Sequence, residues 1–271
     1  MYMDRSQIGN AIARRLREQA DDLDVMWRAS VPFRHFVLDN LLPEPDVLSL
    51  AKGFPGQDKL MLRSTIRERK RVGVDISKYD RGVADHLFAF QQPEVVEAVA
   101  EITKLGEIEP DPTLYASGIS TMCKGDFLNP HIDNSHDGDA KRYRVLNLLF
   151  YVSAGWDRDN GGNLELWDQR LRHNHTVLSK FNRLVVMETH QTSWHSVSKV
   201  LVDSPRLCLS NYYFSCTSPA ATDYSNVTTF AGRPEEPFKR IVLRMDGIAR
   251  NLIGKAFPGL TRRTRHRIRK P

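Results

Sequence analysis

The stretch from residue 113 to residue 216 constrains the fold most, because short apolar runs alternate there with turn residues. Runs of this length are typical of β-strands, and many short strands in one block indicate a β-sandwich or barrel. Gly161, Gly162 and Asn182 mark turns between the runs. The runs that we interpret as strands span residues 144–152, 163–167, 183–187, 194–197 and 206–214. We therefore expect a mainly β chain with flanking helices.

The segment before this block has the periodicity of helices. Ile8, Ile12 and Leu16 recur every four residues, which predicts an amphipathic first helix. Pro43 and Pro93 each predict a further helix start, because proline is favoured in the first turn. Residues 35–38 are interpreted as a short strand between these helices. We expect the helices of residues 1–110 to pack on the outside of the β block.

The positive charge of the chain is concentrated at one end. The 271 residues carry a formal charge of +6, but residues 233–271 alone contain twelve Lys or Arg and three Asp or Glu. The remainder is therefore slightly acidic, and the overall basicity does not indicate a nucleic-acid enzyme. We expect residues 231–271 to form a basic helical extension. The charge run at residues 63–71 is interpreted as solvated surface.

Two interpretations of the extension stay open. Apolar residues share one helical face, which favours packing on the barrel; they are Ile241, Met245, Ile248, Leu252 and Ile253. The basic run at residues 262–270 instead suits an anionic partner, such as a membrane surface or nucleic acid.

Other sequence features bear on the class of protein. No run approaches the roughly 18 apolar residues of a membrane span, so we do not expect an integral membrane protein. The first residues lack the apolar core of a signal peptide. The three cysteines, Cys123, Cys208 and Cys216, lack the spacing of a disulfide framework. We expect a reduced, cytoplasmic protein.

The sequence His131-Ile132-Asp133 is the first candidate site. Side chains two apart on a strand share a face, so the imidazole and the carboxylate can bind one metal. A second histidine would complete a triad of two histidines and a carboxylate, which suits non-haem Fe(II). His195 is favoured because it lies in a strand-like segment that follows residues 185–187 closely and precedes Arg206 by eleven residues.

Other histidines are weaker candidates. His190 is the alternative third ligand, although its neighbours indicate a turn. His136, His173 and His175 are interpreted as exposed loop residues.

Arg206 lies in an apolar strand beside this predicted metal site. A buried guanidinium is costly unless an anion pairs with it, and its fork suits a carboxylate. A ligand that chelates the metal and also carries a carboxylate satisfies both groups. A 2-oxo acid has both features.

These segments together resemble one family. Residues 122–216 resemble the Fe(II)- and 2-oxoglutarate-dependent oxygenases, in particular the prolyl-4-hydroxylase-like branch. The resemblance rests on residues 125–134, 144–151, 161–166, 182–186, 195–197 and 206–210, in that order. It implies a double-stranded β-helix (jelly-roll) core at residues 111–216, within a single catalytic domain of residues 1–230.

The resemblance also implies roles for individual residues. His131, Asp133 and His195 would bind Fe(II), and Arg206 would pair with the distal carboxylate of 2-oxoglutarate. Three further residues would lie near this cosubstrate, namely Ser210, Tyr151 and Asn147. Met122 occupies a position where many members have a tyrosine that contacts 2-oxoglutarate.

The implied activity is a dioxygenase reaction that hydroxylates an unactivated C–H bond and converts 2-oxoglutarate and O2 to succinate and CO2, with ascorbate as a candidate reductant. The substrate stays open among small molecules, peptidyl groups and glycans, and we expect residues 134–141 and 156–160 to select it. A non-catalytic metal-binding jelly-roll protein is the alternative. A nucleic-acid demethylase is disfavoured, because Tyr212 stands where that branch has a second arginine.

Overall fold

The computed structural model describes residues 3–220 and 222–256, with side chains up to residue 250. The basic run at residues 262–270 lies outside the described residues. The helices are α1 (Arg5–Glu18), α2 (Ala20–Ala29), α3 (Glu44–Gly53), α4 (Arg81–Ala89), α5 (Pro93–Thr103) and α6 (Pro237–Ala256). None of the described helices combines the length and the apolar character that a membrane crossing needs.

The apolar runs that were predicted as strands form strands, and the structure contains several further short strands. They are β1 (His35–Asp39), β2 (Met61–Ser64), β3 (Glu68–Val72), β4 (Glu109–Pro110), β5 (Gly118–Met122), β6 (Phe127–Ile132), β7 (Tyr143–Tyr151), β8 (Leu164–Trp167), β9 (Asn174–Val177), β10 (Arg183–Glu188), β11 (His195–Val197), β12 (Arg206–Ser215) and β13 (Thr229–Phe230). The expectation of a mainly β chain with flanking helices is confirmed.

All strand pairs in the sheet are antiparallel, and the main order is β1-β10-β7-β12-β5-β3-β6-β11-β8-β9. The sheet curls, so that β5, β7 and β12 line one side of a cavity that β6, β8 and β11 line on the other. Strand β3 connects the two sides, because it pairs with both β5 and β6. The cavity therefore opens between the two halves of one continuous sheet.

Strand β7 shows how the sequence separates the outside of the sheet from its inside. Leu146, Leu148 and Phe150 belong to the large core that the helices cover, whereas Leu149 and Tyr151 pack in a second cluster on the other face. This is the period-two alternation of a strand that is buried on both faces. The helices pack on the outside, as predicted.

Helix α1 begins at a capping box, in which Asp4 accepts a hydrogen bond from the backbone N–H of Gln7 and the Gln7 side chain accepts one in return. Its predicted apolar face is fully buried against the rest of the core.

Helix α6 corrects one expectation. Its predicted packing face is exposed, with Ile241 61% and Met245 67% accessible. The opposite face packs instead, because Leu243 is fully buried and Asp246 forms an ion pair with Arg67. The ion pair and the buried leucine lie three residues apart and thus share one helical face. The apolar periodicity alone therefore identified the wrong side.

Candidate active site

The structure brings His131, Asp133 and His195 together at the centre of the cavity. Strands β6 and β11 are paired so that His131 lies directly opposite His195, and Asp133 follows the end of β6. Nε2 of His131 lies 3.7 Å from Oδ1 of Asp133, and Nε2 of His195 lies 3.8 Å from Oδ2. One donor atom from each residue lies within 4.8 Å of the others, which is close enough to hold one metal ion.

Both imidazoles are oriented by backbone carbonyls. Nδ1 of His131 lies 3.0 Å from the carbonyl oxygen of Asn129, and Nδ1 of His195 lies 3.0 Å from that of Ser193. A carbonyl oxygen only accepts, so each Nδ1 carries the proton and donates it. Each Nε2 therefore presents its lone pair to the centre of the triad, which is the outer support that metal-binding histidines usually have.

The charges of the three side chains suit a divalent cation. Burial, together with the neighbouring His195, lowers the pKa of His131 to about 3, and burial also lowers the pKa of His195. Burial works to raise the pKa of Asp133, but Arg144 and the two imidazoles hold it at about 2. At neutral pH the site thus consists of two neutral imidazoles and one carboxylate, the protonation state that a metal requires.

Arg144 is a site residue that the sequence analysis missed. It is 3% exposed, its Nη1 lies 3.2 Å from Oδ2 of Asp133, and its Nη2 donates to Oδ1 of Asn134 at 2.7 Å. Its guanidinium also lies over the ring of Tyr212, 4.2 Å from the centroid. Oδ2 of Asp133 nevertheless accepts no hydrogen bond of good geometry, so the carboxylate keeps a buried oxygen that a metal could bind.

Arg206 lines the same cavity, which has a volume of about 780 Å³. It is 3% exposed, its Nε donates to Oγ of Ser179 at 3.0 Å, and its guanidinium lies 4.8 Å from the ring centroid of Tyr151. In the described part of the chain, no carboxylate lies within ion-pair distance of Arg206. A buried guanidinium without a carboxylate is costly, so this end of the cavity fits an anion.

The remaining predicted residues lie around Arg206. Ser210 and Asn147 line the cavity, and Oδ1 of Asn147 is buried without a hydrogen-bond partner. Tyr151 does not line the cavity; its hydroxyl is buried near Ser179 and Arg206 without a hydrogen bond of good geometry, and burial raises its pKa. Met122 lies opposite Arg206 in the β5–β12 pair, with its Sδ 3.7 Å from Nη1. A carboxylate only accepts hydrogen bonds, so the group here that it would satisfy is the guanidinium of Arg206.

The alternative histidines lie elsewhere. His190 pairs with Glu188 at 3.2 Å and is not part of the triad, so the choice of His195 fits the geometry. His173 and His175 are exposed, although His175 lies on strand β9 rather than in a loop. His136 was expected in an exposed loop, but it is half-buried and lines the cavity beside residues 134–137.

Of the two segments predicted to select the substrate, only one lines the cavity. Residues 134–137 line the cavity, because Asn134 and Asp137 are held by Arg144 and Arg142 respectively. Residues 156–160 are not among the lining residues, and Trp156 is buried in an apolar cluster behind Met122.

Comparisons with known proteins agree with this geometry. A sequence model of the 2OG-Fe(II) oxygenase superfamily matches residues 117–214. The chain is 28% identical over 202 residues to prolyl 3-hydroxylase OGFOD1 of Mus musculus, a match that covers 69% of this chain and 34% of that protein. The chain thus spans about a third of the length of this curated relative.

Solved structures share the fold. A prolyl-4-hydroxylase of Pseudomonas putida superposes with a TM-score of 0.54 at 19% identity, covering 74% of this chain and 98% of that chain. A prolyl 4-hydroxylase of Phytophthora capsici gives a TM-score of 0.53 at 16% identity, covering 93% and 81%. These likenesses confirm the double-stranded β-helix fold. Residues 117–214, which match the sequence model of the 2OG-Fe(II) oxygenase superfamily, are the part of the chain that contains the triad and Arg206.

Proposed function

We propose that this chain is an Fe(II)- and 2-oxoglutarate-dependent dioxygenase that hydroxylates an unactivated C–H bond of its substrate. The reaction would convert the substrate, 2-oxoglutarate and O2 to the hydroxylated product, succinate and CO2. One observation supports the proposal most strongly. The triad and a buried guanidinium without a carboxylate partner among the described residues line the same cavity, so one molecule can reach both.

The donor set fits the proposed metal. His131, Asp133 and His195 would hold Fe(II) through two nitrogens and one oxygen, which leaves positions open on the ion. Arg144 would keep Asp133 ionised and oriented, since it is buried against that carboxylate. The bound iron, with 2-oxoglutarate and O2, would supply the oxidising chemistry that amino-acid side chains lack. Ascorbate is a candidate reductant for the iron.

The part of the cavity that Arg206 lines would bind the cosubstrate. Arg206 would pair with the distal carboxylate of 2-oxoglutarate, and Ser210, Asn147 and Tyr151 would add hydrogen bonds. Nδ2 of Asn147 and the hydroxyl of Tyr151 are the atoms that can donate to a carboxylate, and the hydroxyl is buried beside Arg206. Met122 leaves this pocket without the additional tyrosine, so Arg206 would supply a larger share of the binding free energy.

We also propose that residues 1–230 form one catalytic domain and that residues 231–271 are an extension of it. The relatives named above are prolyl hydroxylases, which makes a peptidyl proline one candidate substrate. Small molecules and glycans are the other candidates.

The test is the fate of labelled cosubstrate. Protein loaded with Fe(II) and supplied with 2-oxoglutarate labelled at C1 should release labelled CO2 in air and none under argon, with ascorbate sustaining the rate. With ¹⁸O2, one oxygen atom should enter succinate. The variants His131→Ala and Arg206→Met should lose the reaction, whereas Arg69→Gln, a charge loss on the outer face of the sheet, should keep it. Metal binding without release of CO2 from 2-oxoglutarate in the presence of any candidate substrate would instead indicate the non-catalytic alternative.

A further inference from the structure

Residues 226–233 lie against the backbone that carries the triad. They follow residue 214, where the match to the superfamily model ends, and they include strand β13. We call them the support segment. The segment makes a separate set of contacts near each of the three candidate metal ligands, so the arrangement of the triad depends on a part of the chain that supplies no ligand itself.

The contacts near His131 are made by strand β13. It pairs with β6 in antiparallel register, so that Phe230 lies opposite His131, and the backbone N–H of Ala231 donates to the carbonyl oxygen of Pro130 at 2.8 Å. The ring of Phe230 stacks on the imidazole, with centroids 5.2 Å apart and an interplanar angle of 19°. The plane of the imidazole is therefore fixed by this ring as well as by the hydrogen bond at Nδ1.

The contacts near Asp133 are made by Asn226. Strand β6 ends at Ile132, so the backbone of Asp133 lies beyond the end of this strand. Nδ2 of Asn226 donates to the carbonyl oxygen of Asp133 at 2.9 Å. The backbone N–H of Asn226 donates to Oγ of Ser135 at 2.9 Å, and the backbone N–H of Ser135 donates in return to the carbonyl oxygen of Asn226 at 3.0 Å. Asn226 thus fixes the backbone at and after the carboxylate ligand.

The contacts near His195 are made by Arg233. Strand β11 has only three residues, and its pairing with β6 is irregular between His195 and Val197. Nη2 of Arg233 donates to the carbonyl oxygen of Val197 at 3.1 Å and lies 2.7 Å from Oε2 of Glu165. Glu165 lies opposite Ser196 in the β8–β11 pair and accepts a hydrogen bond from its Oγ at 2.5 Å. Arg233 therefore joins β8 to β11 on the face of β11 that points away from the cavity.

This ion pair is largely withdrawn from water. The side chains of Arg233 and Glu165 are 15% and 11% exposed. Loss of one partner would leave the other charge partly buried and unpaired, which is strongly unfavourable. A movement of β8 that brought Glu165 into water would also displace β11, because the two strands are paired, and His195 lies on β11.

We propose that Asn226 and Arg233 are positioning residues that preorganise the triad for its metal. They act through the backbone of Asp133 and through β11, and neither supplies a metal ligand. The inference rests on the proposed function, because it concerns the metal site of that function. Groups that orient metal ligands commonly contribute about 10- to 100-fold to metal affinity.

Calorimetric titration with Co(II), a spectroscopic stand-in for Fe(II), tests the proposal without turnover. The variants Arg233→Gln and Asn226→Ala should each weaken Co(II) binding by about 10- to 100-fold. They should also shift the visible absorption of the bound Co(II), because the arrangement of the ligands changes. Arg233→Lys keeps the charge beside Glu165 and should recover part of the affinity. Urea denaturation selects a temperature at which every variant is folded.

Two matched controls separate positioning from a general loss of stability. Arg183 has an ion pair with Asp39 at 2.6 Å, donates to the carbonyl oxygen of Leu178 at 3.1 Å and is 16% exposed, but it lies on β10. Asn211 is buried, and its Nδ2 donates to the carbonyl oxygen of Leu87 at 3.2 Å. Arg183→Gln and Asn211→Ala should lower the free energy of unfolding and leave the affinity and the absorption of Co(II) unchanged.

The outcomes distinguish this inference from the proposed function. Wild-type affinity and absorption in both Arg233→Gln and Asn226→Ala would overturn the inference and leave the metal site intact. Equal losses of affinity in these variants and in the two controls would also overturn it, because the effect would then be one of general stability. A wild-type protein that binds no Co(II) would contradict the proposed function itself.

Discussion

The buried position of Arg206 is energetically unfavourable for the fold. Its guanidinium is buried, donates a hydrogen bond to the hydroxyl of Ser179 and lies over the ring of Tyr151. It has no carboxylate partner among the described residues. A fold selected for stability alone would place an apolar side chain there, since replacing a buried charge by one is often neutral or stabilising. We interpret the charge as retained for its ligand.

Replacement of Arg206 by Met should therefore separate stability from binding. The free energy of unfolding of the ligand-free protein should rise by about 1 kcal/mol or more, because an uncompensated charge is removed. The affinity for 2-oxoglutarate should fall by about 100-fold, the loss of a buried charge pair. Urea denaturation and calorimetric titration of the Zn(II) protein measure the two quantities. A loss of stability with retained affinity would contradict this role.

Arg144 should act on the metal through Asp133. The variant Arg144→Gln should weaken Mn(II) binding by about 10- to 100-fold, the usual effect of removing a residue that orients a metal ligand. The matched control is Arg142→Gln, which removes a charge two residues away that pairs with Asp137 and Glu109 instead. Mn(II) affinity is measured by electron paramagnetic resonance. Equal affinities in the two variants would show that Arg144 has no such role.

The limits of sequence reasoning are visible at this scale. The ordered strand pattern predicted that His131, Asp133, His195 and Arg206 share one site, and the structure places all four on one cavity. Arg144 could have been found by the argument used for Arg206, because it too is a charge within an apolar run. Arg233 could not, because its pairing with Glu165 joins two distant parts of the chain, which no local pattern specifies.

At the scale of elements, the regular strands were predictable and the connecting ones were not. Strands β7, β10 and β12 are recognisable in the sequence as short apolar runs. Strands β2 and β3 carry too many charged residues to be distinguished from a loop. The tertiary pairing of β3 with both halves of the sheet overrides its weak propensity. Helix α6 was predicted as a helix, but its packing side is set by the Arg67–Asp246 ion pair and by Leu243.

The packing side of α6 predicts unequal effects of two similar substitutions. Leu243→Ala should lower the free energy of unfolding by about 2–5 kcal/mol, because the side chain is fully buried. It shares a cluster with Phe230, whose ring stacks on His131 at 5.2 Å, so metal affinity should fall as well. Ile241→Ala, on the exposed face, should change stability by less than about 0.5 kcal/mol. Equal losses in urea denaturation would contradict the described orientation of the helix.

For the whole molecule, the buried histidines outside the site predict a dependence of stability on pH. Burial is the main cause that lowers the pKa values of His35 and His86 below 6.5 in the folded state. As the pH falls below 6.5, the unfolded chain binds protons that the folded chain excludes. The stability present above this pH is therefore progressively lost.

The metal-free protein should thus lose up to about 1.4 kcal/mol per pH unit for each such histidine between pH 6.5 and the lowered folded pKa. In His86→Asn, the side-chain amide can still donate to the carbonyl of Gly82, which Nδ1 contacts at 2.7 Å, and the slope should be smaller. Urea denaturation at pH 7.5 and 5.5 measures both slopes. A stability that does not change with pH in the wild type would contradict the prediction.

The central claim is that two distant parts of the chain form one iron site with a 2-oxo acid bound across it to Arg206. The most direct measurement is the visible absorption of the protein titrated with Fe(II) and 2-oxoglutarate without oxygen. We predict the charge-transfer band of a chelated 2-oxo acid, saturating at one iron per chain, retained in His190→Ala and lost in His195→Ala. A band that survives His195→Ala, or that disappears with His190→Ala, would contradict the account.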